Sequence, residues 1–425
     1  MFDSIEKLAT FLFVVALIHS FCVPLFAQKA NRYAKGSLAE KCFHLLSEVE
    51  IVFGFWAIIF LGLWTCLEGL KAPWQYLRTL NMTEPIFIFC IMVLASTRPL
   101  VSFSMTALLS LSDWAAKISK VDIKLVQFFI LMTFGPLLGS LITEPAAITL
   151  VSLLLYRMLR AADEKLLYGT LALLFVNISI GGGLTHFAAP PILIVAKTWN
   201  WGIKDVFVNL GESVLLAVFA NTVIFTLLFK KKIISQMDQI SNEHFHSPLW
   251  MVGIHILFLF LLVLNSHYLN IFFGLFIIFV AFTVVTKKFQ DELKFRQGAL
   301  VGFFLAGLIV FGTLQTWWLE PILSSVDQMT LYFVTTFLTG ITDNAALTYL
   351  GSQVPSLTEP MKWALVSGAI SGGGLSILAN APNPAGFTIL SSKFPGNTLH
   401  AGKLLIAALA PTVVVIISFL LLGNF

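Results

Sequence analysis

The chain has little charge. Only 11% of its 425 residues are Asp, Glu, Lys or Arg, while 58% are apolar and 40 are Phe. A water-soluble domain carries about a quarter charged residues, so a soluble globular fold is excluded and the solvent must be lipid. The net charge is only +4, and the basic residues lie between apolar runs. That distribution suits membrane-flanking loops and argues against nucleic-acid binding. Cysteine is also scarce. Cys22, Cys42, Cys66 and Cys90 have no metal-type spacing, so inert buried thiols are expected rather than a disulfide framework. His244 and His246 fall in a polar loop and complete no metal motif. There is no nucleotide-binding loop, nucleophile elbow or metalloprotease motif. The longest polar segments, near 28–49 and 231–247, are too short for an appended soluble domain. The sequence therefore predicts neither an enzyme nor a resident cofactor or metal.

What it has is long apolar runs. A helix needs about 20 apolar residues to cross the hydrocarbon core. Such runs lie near 8–27, 50–70, 85–112, 166–197, 206–229, 248–265, 269–286, 298–317, 362–392 and 402–423. Leu25 is a poor residue before a signal cleavage after Ala27, so the first run is read as a retained helix. Two further runs, 124–160 and 328–356, are interrupted at their centres. A continuous helix through 124–160 would be about 55 Å long, too long for a bilayer. A hairpin that turns near Thr143-Glu144-Pro145 and leaves on the side it entered fits better, because Pro145 removes a backbone donor and restricts Glu144.

Loop charge gives the sidedness. With the N-terminus outside, the inside loops collect Lys29, Arg32, Lys35 and Lys41; Lys117, Lys120 and Lys124; Arg157, Arg160 and Lys165; Lys230 to Lys232; Lys287, Lys288, Lys294 and Arg296; and Lys393. The outside keeps only Lys7, Lys71, Arg78, Lys197, Lys204 and Lys362. This satisfies the positive-inside rule. The predicted fold is an all-α polytopic membrane protein of about ten transmembrane helices plus two re-entrant hairpins. Residues 1–84 and 248–286 are scaffold helices outside the repeats. Residues 85–229, with an inside hairpin at 124–160, and 298–423, with an outside hairpin at 328–356, form an inverted-topology repeat.

The repeat is visible in the letters. Ile142-Thr143-Glu144-Pro145-Ala146-Ala147-Ile148-Thr149 is echoed by Ile341-Thr342-Asp343-Asn344-Ala345-Ala346-Leu347-Thr348. Gly181-Gly182-Gly183-Leu184-Thr185 is echoed by Gly372-Gly373-Gly374-Leu375-Ser376. Each Gly triplet is expected to unwind a helix at bilayer depth. The prolines after it, Pro190-Pro191 and Pro382-Asn383-Pro384, are expected to keep the helix from simply resuming. Such breaks are tolerated where protein or a water-filled cavity satisfies the backbone, and their half-helix ends favour ions. The other reading of the glycines is close helix packing.

Glu144 and Asp343 are the candidate coupling residues. A carboxyl in a membrane normally faces a cavity or a partner, and one taken out of water holds a proton more tightly. Releasing that proton leaves a charge that sodium neutralises, so one carboxyl serves either ion in turn. The other reading is that each acid pairs with a base or caps a half-helix. Thr143, Thr342, Thr185 and Ser376 offer hydroxyls beside the breaks, and Asn344, Asn380 and Asn383 offer amide oxygens. Hard cations prefer such ligands, while local capping is the alternative. His186, which follows Thr185, is a candidate for pH response or for pairing with a carboxyl; the other reading is a hydrogen-bonded structural histidine. Arg98 is a candidate charge partner for either acid, or a clamp for an anionic substrate; if the 85–112 run is two shorter segments, it is only a loop residue.

This layout resembles the ion transporter superfamily, which includes NhaD-like sodium/proton antiporters, arsenite exporters and dicarboxylate transporters. The branch it looks nearest to is the bacterial sodium/proton antiporters. The resemblance covers about 85–229 and 298–423 and rests on the two Thr-acid strings and the two Gly…Pro segments. It implies a hairpin-containing transport domain, a separate scaffold, frequent homodimers and elevator-like movement in the bacterial inner membrane. The dicarboxylate branch has Ser-Asn-Thr at both hairpin tips. Here Glu144 and Asp343 would repel a dianion, which favours a cation. Ile192 stands where the second half has Asn383, so the second half is expected to carry more of the ion chemistry. The leading expectation is exchange of sodium or lithium for protons by alternating access. The runner-up is a proton- or sodium-coupled carrier of arsenite or an organic anion. A membrane enzyme or receptor is the third class.

Overall fold

The computed structural model describes residues 2–30, 32–241 and 247–423, which form helices and turns with no strand; His244 and His246 lie outside the described residues. The chain opens with α1 (Phe2–Ala30), α2 (Leu38–Leu46), α3 (Val52–Glu68), α4 (Lys71–Thr79) and α5 (Thr83–Ala95). The single span expected over 85–112 is instead broken at Ser96–Thr97 and restarts as α6 (Arg98–Ser119). Pro99 is the reason. Inside a continuous helix it would lose a hydrogen bond and clash one turn back, whereas the first turn of a new helix accommodates it. Next come α7 (Ile123–Ile142), α8 (Glu144–Met158), α9 (Glu164–Gly181), α10 (Pro190–Ala196), α11 (Ile203–Val206) and α12 (Glu212–Leu228). A π turn over Phe207–Gly211 joins the last two. Then follow α13 (Lys230–Gln236), α14 (Leu249–Leu264), α15 (Leu269–Val285), α16 (Phe295–Gly312), α17 (Thr316–Leu323) and α18 (Gln328–Thr339). The chain finishes with α19 (Asn344–Ser352), α20 (Glu359–Gly372), α21 (Asn383–Leu390) and α22 (Ala401–Leu422).

Among the described residues, six helical stretches are long and apolar enough to cross a membrane, and α4 with α5, bent by 63°, makes a seventh if the pair is one span. The apolar helices α3, α14 and α15 are shorter. The chain is thus a multi-pass, all-helical membrane protein.

Packing sorts the helices into two groups. In one, α3 lies on α1 and α16, α16 on α5, and α15 on α5 and α14. Phenylalanine fills this seam: Phe53 meets Phe13 at 5.4 Å and Phe304 at 5.3 Å between ring centres, and Phe60 meets Phe311 at 5.6 Å. Such ring pairs contribute about 0.5–1.5 kcal/mol beyond their buried area. In the other group α7 packs along α8, α18 along α20, and α22 along α9 and α12. Two crossed contacts tie this group together: α10 packs on α19, and α21 packs on α8. Each resumed half-helix therefore leans on the hairpin of the opposite half of the sequence.

Within α7, Pro136 cannot donate to the carbonyl of Met132. That oxygen is taken up instead by Asn177 Nδ2 at 2.9 Å and Thr222 Oγ1 at 3.1 Å. The result is a buried polar knot joining α7, α9 and α12. The cysteines are all free, but only Cys90 is buried; Cys42 and Cys66 are exposed and Cys22 is half-buried. Exposed apolar surface is what lipid covers, so a thiol in an apolar run need not face the protein interior.

Candidate functional site

The two Thr-acid strings both form helix starts, but one residue out of step. In the first, α7 ends at Ile142, Thr143 turns, and α8 begins on Glu144. Thr143 has φ +74° and ψ 151°, a conformation that a β-branched residue rarely adopts and that costs on the order of 1–3 kcal/mol. In the second string Asp343 occupies the capping position and α19 begins on Asn344. The backbone agrees. Glu144 N–H donates to Ala188 O at 3.3 Å, and Asn344 N–H donates to Ala379 O at 3.1 Å. Ala188 and Ala379 hold matching places after the two Gly triplets. Thr143 therefore corresponds to Asp343, and Glu144 to Asn344. The letter-by-letter match of the acids is corrected, because the turn and not the residue type sets the register.

The offset gives the acids different surroundings. Asp343 Oδ1 caps α19, accepting from Ala345 N at 2.8 Å and Ala346 N at 3.2 Å, while Oδ2 is buried without a partner. Glu144 is fully buried. Its Oε2 accepts from Asn380 Nδ2 at 3.0 Å, and its Oε1 has no partner. This bond joins the first hairpin to the second unwound segment. Gly182, in the first break, leaves room for the Glu144 side chain, since a Cβ there would lie 2.6 Å from Glu144 Oε1.

Both Gly triplets end α-helices, α9 at Gly181 and α20 at Gly372; a 3₁₀ turn over Gly182–Leu184 and then irregular chain follow the first, and irregular chain alone follows the second. The prolines do not prolong the breaks. Helix resumes at Pro190 in α10 and at Asn383 in α21, with proline in the first turn of both, where its missing N–H is not needed. Ser140 stitches the first break, giving its hydroxyl to Gly181 O at 2.7 Å and accepting from Leu184 N at 3.0 Å. Asn383 stitches the second, its Nδ2 donating to Gly373 O at 2.8 Å and Ser376 O at 2.9 Å. Ser179 ties α9 to α20 through Ile370 O at 2.8 Å.

The predicted ligands divide accordingly. Thr185 Oγ1 donates to Ser140 O at 2.8 Å, and Ser376 Oγ accepts from Leu378 N and Ala379 N; both hydroxyls are engaged locally. Thr342 is only half-buried. By contrast Thr143 Oγ1, Glu144 Oε1, Asp343 Oδ2, Asn344 Oδ1, Asn380 Oδ1 and Asn383 Oδ1 are buried with no hydrogen-bond partner among the described residues. Buried oxygens are normally paired; these six lie on three segments joined by the Glu144–Asn380 and Asn344–Ala379 hydrogen bonds. Their chemistry, two carboxylate and four neutral oxygens, fits a small hard cation.

Two candidates lie elsewhere. Arg98 Nη1 is 3.5 Å from Asp291 Oδ1, with both side chains largely exposed, so it pairs with neither acid. The break at Ser96–Thr97 puts it at a helix start instead of mid-span. His186 lines a separate small cavity with Thr83, Glu84, Lys197 and His267, its ring stacked 6.3 Å from His267. Sequence reading also missed Ser140, a plain serine with no neighbouring signal.

A cavity of about 460 Å³ runs beside the first hairpin. Arg98, Asp291, Glu292 and Lys294 line it, and Ser96 and Thr149 are shared with a smaller recess that reaches Thr143 and Pro145 at the hairpin tip.

The sequence profile of the family described as "Putative Na+/H+ antiporter" matches residues 4–422. No curated protein matches the chain. The match spans nearly every element described above, and the chain belongs to this family of sodium/proton antiporters.

Proposed function

We propose that sodium, or lithium, and protons compete for the buried oxygens around Glu144 and Asp343, and that the two hairpins expose this site to opposite faces in turn. The observation that carries the reading is the cluster of six unpartnered buried oxygens on Thr143, Glu144, Asp343, Asn344, Asn380 and Asn383. A carboxylate neutralised by sodium or by a proton, but not by both, couples the two fluxes. Asn380 holds one Glu144 oxygen and leaves the other to the ion. The second unwound segment supplies Asn380 and Asn383, where the first has no equivalent amide.

The ten-span threading with an outside N-terminus, the inverted repeat and the bacterial inner membrane belong to this proposal, as does membership of the wider ion transporter superfamily. Contacts between loops support the sidedness. Loops assigned inside meet each other: Lys232 with Asp163, Arg160 with Asp238, Lys403 with Glu164, and Arg296 with Glu48. Loops assigned outside do likewise, with Lys197 beside Glu84 and Trp201 stacked 3.5 Å from Trp363. The cavity reaching Thr143 opens among inside residues, and so serves as the cytoplasmic path. The exposed Arg98–Asp291 pair at its mouth gives the anion-carrier reading no clamp at the site.

The test is sodium binding by purified protein, followed by calorimetry at neutral pH. Wild type should bind sodium and release protons. Glu144→Gln and Asp343→Asn should each weaken binding at least tenfold, and the double variant should bind none. Undiminished binding by the double variant would refute the site.

A further inference from the structure

A cavity of about 500 Å³ opens between α9, α12 and α22, and shares no lining residue with the proposed ion site. Its body is apolar, walled by Leu173, Ile224, Phe225, Leu228, Ile406 and Val414. Its charge is gathered at one end, where Glu164, Lys165 and Lys403 stand at the starts of α9 and α22. Lys403 pairs with Glu164, whereas exposed Lys165 makes no ion pair among the described residues. Lys230 and Lys231 follow Phe229, which lines the same end. From Lys403 to Val414 the helical rise is roughly 16 Å, about half of a 30 Å hydrocarbon core. The groove is thus one leaflet deep, with its basic end at the membrane surface.

We propose that this groove binds one anionic phospholipid, its acyl chain lying against α9 and α22 and its phosphate between Lys165 and Lys403. An acyl chain matches the apolar body in length and polarity. A zwitterionic head would add no net charge to answer the lysines, whereas a phosphate with net negative charge does. Basic residues at the ends of membrane helices favour anionic lipid. Lys403 is already answered by Glu164, so Lys165, the lysine of the pair with no ion pair among the described residues, predicts a preference of roughly fivefold over zwitterionic lipid. The inside surface, where Lys165, Lys230, Lys231 and Lys403 gather, is where such a headgroup would sit.

The experiment is native mass spectrometry of the full chain released from nanodiscs containing equal phosphatidylglycerol and phosphatidylcholine. Wild type should retain one phosphatidylglycerol per chain. The Lys165→Gln/Lys403→Gln double variant should lower that occupancy roughly fivefold. Ala410→Trp, which fills the groove while leaving the lysines in place, should also expel the lipid. The ion-site variant Asp343→Asn should keep it, and melting temperatures of all variants establish that they are folded. Equal retention of the two lipids, unchanged occupancy in folded groove variants, or an Ala410→Cys disulfide showing a second chain seated in the groove would each overturn the proposal.

Discussion

Asn380→Leu tests how the two halves of the protein cooperate. Asn380 is fully buried, and its Nδ2 is 3.0 Å from Glu144 Oε2, while its Oδ1 is one of the six unpartnered oxygens. Leucine keeps the volume but removes both functions. A hydrogen bond to a charged group contributes about 1.5–3 kcal/mol, and it stabilises the carboxylate that sodium needs over the protonated form. At about 1.4 kcal/mol per tenfold, its loss raises the sodium concentration for half-maximal exchange by roughly 10- to 150-fold. The assay is sodium-driven proton movement in proteoliposomes, titrated with sodium at fixed pH. Asn380→Asp is the companion variant; it keeps an oxygen ligand but adds a third carboxyl, and should also lose sodium affinity. A folded Asn380→Leu protein with half-saturation within twofold of wild type would refute the link between Glu144 and the second unwound segment.

Other outcomes follow from the same geometry. Arg98→Ala should change transport by less than about fivefold, since an exposed ion pair contributes about 0–1 kcal/mol; loss of all transport would restore the anion-clamp reading. Gly374→Ala should unfold or strongly destabilise the protein, because a Cβ there would lie 2.5 Å from the backbone N and Cα of Val176, whereas Gly183→Ala meets nothing nearer than Val214 Cγ2 at 3.2 Å; equal melting temperatures would contradict the packing. Asp163 caps α9 in a surface loop and is held down to about 2, first by its hydrogen bond to Lys232. A carboxyl lowered on folding stabilises above its unfolded value and loses that contribution as pH falls through the folded one. Asp163→Asn should therefore melt below wild type at pH 7, with the gap closing between about pH 4 and pH 2; a gap that does not depend on pH would refute the assignment.

The breaks and turns were legible because each is written in residues that cannot continue a helix: Gly181 to Gly183 and Gly372 to Gly374 end α9 and α20, and Pro145 stands in the first turn of α8. The register of the two acids was not legible. It depends on the backbone of Thr143, whose positive φ nothing in a threonine foretells. Arg98 was legible only as an alternative: the apolar run reads through Pro99 as one span or as two shorter segments, and the two-segment reading is the one found. The division of ligands also escaped the sequence. Thr185 and Ser376 look like Thr143, but Ser140 engages one and the local turn engages the other. Asn177 and Thr222, polar residues in apolar helices, answer a carbonyl freed by Pro136 more than forty residues earlier in the chain, a pairing that only the packing of α7, α9 and α12 creates.

The central claim is that one carboxyl-centred site exchanges sodium for protons. It is tested most directly by reconstituting the protein in liposomes with an internal pH dye and adding sodium, lithium, potassium and an organic anion in turn. Sodium and lithium should drive proton movement, potassium and the anion should not, and Asp343→Asn should abolish the sodium response. Full sodium-driven proton movement by Asp343→Asn, or a response to the anion alone, would contradict the account.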